Sequence, residues 1–189
     1  MVSHNCINPV DLTDREIIEG CLKSDRECEQ LLYERYAPKM FSLCLRYARN
    51  RMEAEDIMQN GFIRVYNKLH TFKHKGSFEG WIRRIMVHSA IKFLKKSSNK
   101  NEFSTLEDVR EKKVESKAVD NISEAELLEL INSMPEGYKV VFNLYVIEGY
   151  KHSEIADMLE IRESTSRSQL LKARKFLQEA LKNLQLILI

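Results

Sequence analysis

Thr165, Arg167, Ser168, Gln169, Lys172, Arg174 and Lys175 fall on one side of an expected helix whose other side carries Leu170, Ala173 and Leu177 at helical spacing. Guanidinium and ammonium groups mixed with hydroxyls and an amide suit hydrogen bonding to base edges and phosphates in a major groove. The element that must position them is a helix-turn-helix over Tyr150–Leu177, YKHSEIADMLEIRESTSRSQLLKARKFL. Ile155, Ala156 and Leu159 give its shorter first helix an apolar face, and small Ala156 lets the second helix approach closely. Glu160-Ile161-Arg162 makes the turn, with Ile161 pointing inward, and the second helix begins near Glu163. An ordinary helical hairpin with a solvated basic face would show the same pattern.

A second basic region lies upstream. Between Asn60 and Lys100 the bases are Arg64, Lys68, Lys73, Lys75, Arg83, Arg84, Lys92, Lys95, Lys96 and Lys100, against Glu79 alone. From Asn101 to Glu124 acids outnumber bases. That asymmetry suggests a polyanion-binding face followed by an acidic spacer, although a lysine-rich solvated helix would also produce it. The net charge of +2 carries little information by comparison. Cys6, Cys21, Cys28 and Cys44 form no CxxC pair, so they read as reduced, mostly buried thiols of a cytosolic protein. His4, His70 and His74 are scattered, and His152 reads as a cap or surface residue. Neither a metal site nor a cofactor is expected. No segment approaches membrane-spanning length and no secretory leader is visible, so a soluble cytoplasmic chain is expected.

In 189 residues there are six Gly and three Pro, too few for the turns of a β-protein, while 43% hydrophobic residues can fill real cores. The expectation is all-α, as two small helical domains joined by a flexible linker. Thr13-x-x-Glu16 and Ser24-x-x-Glu27 read as capping boxes for the first two helices. Ile17, Ile18, Cys21 and Leu22 face inward on the first, and Leu31, Leu32 and Tyr36 on the second. Pro38 should interrupt the pattern before a third helix with Met40, Leu43, Cys44 and Tyr47. A fourth, about Glu53 to Leu69, places Ala54, Ile57, Met58, Gly61 and Val65 inward. After a loop over His70–Ser77, Ser77 opens a fifth helix with Phe78, Trp81, Ile82, Ile85 and Met86 as its core face. A polar linker follows, with transient order around Phe103 and Leu106. Ser123-x-x-Glu126 and Ser133-x-x-Glu136 cap two more helices bearing Leu127, Leu130 and Ile131, then Val140, Val141, Leu144 and Tyr145.

Three motifs in order carry a family likeness: Glu53-Ala-Glu-Asp-Ile-Met-Gln-Asn-Gly-Phe-Ile-Arg-Val-Tyr66, Gly76-Ser-Phe-Glu-Gly-Trp-Ile-Arg-Arg-Ile85, and Met134-Pro-Glu-Gly-Tyr-Lys-Val-Val-Phe-Asn-Leu-Tyr145 before the helix-turn-helix. From about Asp14 to Leu181 the chain closely resembles a bacterial extracytoplasmic-function (ECF) RNA polymerase sigma factor. The resemblance implies an N-terminal domain over 12–97, a linker over 98–121 and a C-terminal domain over 122–185. It implies binding to core polymerase at the β′ clamp helices through Glu55, Asp56, Gln59, Asn60, Phe62 and Arg64, with a further contact at the β flap. It implies that Phe72, Lys73, His74, Lys75, Gly76, Arg83, Arg84, His88, Lys92 and Lys95 hold the opened −10 element as single strand. In the −35 duplex, Arg167, Ser168, Leu171 and Lys172 would meet bases, with Gln169 as a further candidate. Thr165, Arg174 and Lys175 would hold phosphates.

The chain departs from the family pattern in three places. His88 stands where Asn is frequent, Glu160 where Gly is usual in the turn, and Ser166 where Val is common. Many family members are silenced by an anti-sigma protein, often membrane-anchored, so the resemblance implies that partner too. The free chain is expected to be a monomer. Two other functions compete with a non-enzymatic sigma factor: a helix-turn-helix regulator with a sensing or dimerising N-terminal half, and an enzyme acting on nucleic acid. The N-terminal half offers neither a clear apolar pocket nor a heptad seam. No metal-spaced cluster, Gly-rich phosphate loop or nucleophile motif supports an enzyme.

Overall fold

The computed structural model describes residues 12–97 and 124–186, and among them every regular element is helical. The expected linker, Phe103, Leu106, Cys6, the Ser123 cap and the apolar side chains of Leu184–Ile189 lie outside what is described. The chain divides into two compact units at Ala90.

The first unit holds α1 (Asp14–Leu22), α2 (Arg26–Leu45), α3 (Arg51–Lys68), a 3-10 turn (Leu69–Thr71) and most of α4 (Phe78–Ser97), which crosses the division. The expected capping box opens α1: Thr13 Oγ1 accepts from the Glu16 N–H at 3.3 Å, while the Thr13 N–H donates to the Glu16 carboxylate at 2.8 Å. The second cap is Asp25 rather than Ser24. Asp25 Oδ1 accepts from the Glu27 N–H at 2.9 Å, and Ser24, at φ 61°, is spent turning the chain. Arg35 then ties the two helices, donating to Asp14 Oδ1 at 3.1 Å and to the Leu12 carbonyl at 2.7 Å.

Pro38 does not divide α2, which is a single helix of 20 residues. The proline is exposed, so the Glu34 carbonyl that loses its helical partner faces water. Asn50 starts α3 by accepting from the Glu53 N–H at 2.9 Å. Leu32, Met40, Leu43, Ile57, Val65, Ile82 and Met86 are fully buried between these helices. Gly61 is needed there, because a methyl at its Cα would overlap the Met86 sulfur where α3 and α4 cross. Leu22 departs from expectation: as the last residue of α1 it overhangs the packed face and is exposed. Leu31, Trp81 and Ile85 are only partly buried.

The second unit holds α5 (Glu124–Ser133), α6 (Glu136–Phe142), a π turn (Asn143–Ile147), α7 (His152–Leu159) and α8 (Glu163–Leu186). Ile131, Met134, Tyr138 and Ala173 form its centre, with Phe142, Ile147, Phe176 and Leu177 packed against it. Ser133 does not cap α6. Its hydroxyl donates back to the Leu130 carbonyl at 2.7 Å, and Pro135 precedes α6 without a side-chain cap. Leu127 is exposed rather than inward.

Candidate functional site

On α3 the core set Ala54, Ile57, Met58, Gly61, Phe62 and Val65 leaves an opposite stripe of Met52, Asp56, Gln59, Asn60 and Ile63, all exposed. Asn60 Nδ2 bonds the Asp56 carbonyl at 2.8 Å, and Glu55 pairs with Arg51 at 2.9 Å beside the stripe. Phe62 does not belong to this surface. It is 3% exposed, with Tyr33 and Tyr66 rings at 4.8 and 6.4 Å, because it continues the i, i+4 run of Met58 into the core. Met52 and Ile63, at 76% and 58% exposure, were missed by sequence reasoning. Their signal was phase: each is an apolar residue on the polar side of the helix.

The loop before α4 is built on aromatics. Phe72 packs against His74, Phe78 and Trp81 at 4.9, 5.1 and 5.5 Å, and Phe78 stacks on Trp81 at 5.7 Å. Phe72 and Trp81 are half-buried, while Lys73, His74, Lys75 and Gly76 are exposed around them. Positive φ at His74 (54°) and Gly76 (86°) bends the loop tightly, and Ser77 Oγ then accepts from the Gly80 N–H at 3.1 Å to begin α4. Arg84, His88 and Lys92 follow at i, i+4, i+8 on the exposed side of α4; Arg83 and Lys95 are partly exposed. Burial first, then Arg84, Lys68 and Arg64, holds the His88 imidazole below its usual pKa. Arg64, partly exposed one turn after Asn60 on α3, also contributes to the positive field at His88.

The helix-turn-helix forms as expected. Ile155, Ala156 and Leu159 are buried on α7, and Glu160 occupies the left-handed region at φ 58°, ψ 41°. The Ile161 N–H bonds the Ala156 carbonyl at 3.1 Å, and its side chain is half-buried. On α8, Arg167, Leu171, Lys172, Arg174 and Lys175 are exposed, and Thr165 and Ser168 are half-buried. Arg167 is held by Glu163 at 2.6 Å, one turn earlier. Lys172 Nζ lies 6.0 Å from the centroid of Tyr138. Gln169 is corrected: at 1% exposure it packs beneath Gly137 and cannot reach a base.

His152 is no simple surface residue. Its Nδ1 lies 2.9 Å from the hydroxyl of fully buried Ser166, and its ring stacks on Tyr145 at 4.4 Å and 21°. The π turn sets this up, since the extra residue in its ladder rotates Tyr145 out of the core line of Val141 and Leu144. Among the described residues no group of three His, Cys, Asp or Glu could hold a metal ion, and no helix is long and apolar enough to cross a membrane.

Residues 32–100 match the family model for sigma-70 region 2, and residues 124–177 match that for sigma-70 region 4. The ECF RNA polymerase sigma-E factor of Escherichia coli strain K12 is 30% identical over 176 residues, covering 87% of this chain and 92% of that protein. The sigma-E factor of Haemophilus influenzae is 26% identical over 185 residues, covering 92% and 97%. The fold is similar to that of the sigma factor RpoE solved with the anti-sigma factor NepR from Bartonella quintana (TM-score 0.52, 17% identity, 81% of this chain and 96% of that one). It is also similar to CnrH solved with the cytosolic domain of CnrY (TM-score 0.50, 15% identity, 90% and 97%).

Proposed function

We propose a working arrangement for this chain from the premise that it belongs to the ECF sigma factors of RNA polymerase. It is a promoter-recognising transcription initiation factor, and its partners are core RNA polymerase and promoter DNA. The finer reading assigns residues 12–97 to polymerase and −10 binding, 98–121 to a linker and 122–185 to −35 binding. The α3 stripe of Asp56, Gln59 and Asn60, flanked by Met52 and Ile63, docks on the β′ clamp helices, and the second unit reaches the β flap. Polar groups ringed by apolar ones are the makeup of a helix-on-helix interface.

The loop at Phe72–Gly76 and the cations around His88 hold the opened −10 strand. An aromatic base and a positive rim are what unstacked bases and their phosphates require. His88, whose imidazole is held below its usual pKa, offers a hydrogen-bonding edge at a position where the family often carries Asn. Arg167, Leu171 and Lys172 face the −35 bases, and Arg174 and Lys175 its phosphates. No residue is assigned to bond-making; polymerase supplies the chemistry, in the cytoplasm. The chain is held inactive by an anti-sigma protein, as RpoE and CnrH are found bound by NepR and CnrY.

The observation that carries this arrangement is the packing of Phe72 on Phe78 and Trp81 at the start of the helix whose exposed side carries Arg84, His88 and Lys92. Mixing the full chain with core polymerase tests it. A stable complex that opens the −10 region of a promoter is expected, with permanganate reactivity of thymines as readout. Duplex binding without core, or a complex that leaves the duplex closed, would overturn it.

A further inference from the structure

The exposed stripe of α8 runs Arg167, Leu171, Arg174, Lys175, at i, i+4, i+7, i+8. Its one apolar member, Leu171, is 69% exposed, while Leu170 beside it is 4% exposed and serves the core. Leu171 therefore contributes little to the core where it stands. Arg167 precedes it by a turn, with its guanidinium drawn toward Glu163 at 2.6 Å. Lys172, the next residue, has its Nζ 6.0 Å from the Tyr138 ring centroid and lies to one side of Leu171. In a major groove the bulkiest apolar feature of the base edges, and the one that suits an isobutyl group, is the thymine 5-methyl.

We propose that Leu171 is a specificity-determining residue that packs on the 5-methyl group of one thymine in the −35 element. This rests on the reading of α8 as the −35 reader. Covering one methyl-sized group is worth about a four-fold change in affinity. Arg167, one turn back, sets the register along the groove, and Leu171 adds a preference that hydrogen bonds cannot supply.

The test uses holoenzyme assembled from the full chain and core polymerase. A pool of promoters randomised across the −35 element first yields the preferred sequence. Each thymine of that element, on either strand, is then replaced singly by uracil, which differs by the methyl alone. Wild-type holoenzyme should lose about four-fold at one position, and Leu171→Ala holoenzyme should bind both duplexes equally there. The variant should melt with the wild-type chain, since the side chain is exposed. A wild type indifferent to every exchange, or a Leu171→Ala protein that still discriminates, would overturn the assignment while leaving −35 reading intact. A holoenzyme with no −35 preference would instead remove the underlying reading, and Leu171's role with it.

Discussion

His152 Nδ1 and Ser166 Oγ, 2.9 Å apart, join the first residue of α7 to the first turn of α8. Both helices of the helix-turn-helix are pinned by this polar contact inside an otherwise apolar seam of Ile155, Leu159 and Leu170. A buried hydroxyl that loses its partner costs about 1–3 kcal/mol. His152→Ala should destabilise the second unit by that amount, and Ser166→Ala, which removes the hydroxyl itself, by less. The double variant should lose less than their sum, by at least ~0.5 kcal/mol. Urea unfolding of the four proteins, followed by circular dichroism, measures the cycle; strict additivity would deny the contact any weight.

Stability should also depend on pH below neutrality. His88 and His152 both titrate below the usual value, each through burial first; Arg84, Lys68 and Arg64 then act on His88, and Arg167 and Arg174 on His152, where Glu163 opposes them. A lowered folded pKa means that the folded state prefers neutral imidazole. The stability so conferred is complete above about pH 6.5, the unfolded histidine value, and is lost as pH falls below it. Denaturation midpoints should therefore decline between pH 7 and pH 5, and a His88→Asn, His152→Asn double variant should show a flatter profile.

On the docking stripe proposed for α3, binding and folding should separate. Asp56 is exposed, so Asp56→Arg should leave thermal stability unchanged and weaken core polymerase binding about ten-fold or more, read by competition against the wild-type chain. Phe62→Ala should do the reverse in origin. Removing a 3%-exposed ring costs about 3–5 kcal/mol of stability, and any loss of binding should track the unfolded fraction.

Two cations on α8 should respond differently to promoter sequence. Arg167→Ala should change which −35 sequences are used, as the base contact proposed for it requires. Lys175→Ala should weaken binding evenly on all sequences and lower the salt slope by about 1. Binding isotherms on a small −35 panel at several salt concentrations distinguish the two; identical behaviour would remove the distinction between base and phosphate contacts.

Features decided within a few residues were legible from sequence. The Thr13–Glu16 box, the Ser77 start of α4 and the Ile155-Ala156-Leu159 face each depend on local spacing, and each forms. What failed was decided by tertiary neighbours. Pro38 stays within α2 because its side of the helix faces water. Gln169 sits at the edge of a polar face and packs beneath Gly137, distant in sequence, while Phe62 extends the inward run of Met58 and packs on Tyr33 across the bundle. Tyr145 was misplaced because a π turn adds a residue that no 3.6-residue period anticipates. The His152–Ser166 contact was invisible for a related reason: a serine replacing an aliphatic residue reads as a loss until its partner across the turn is known.

The buried thiols give the first unit its own clock. Burial pushes Cys21 and Cys44 up to about 12, so at neutral pH only roughly one molecule in 10⁵ carries a thiolate at either site. Alkylation at those two sulfurs must wait for the helices around them to part, and its rate counts those openings. The second unit contains no cysteine, so it is silent in the same experiment. Adding core polymerase or promoter DNA in turn would therefore time how each partner slows the breathing of the α1–α3 bundle alone.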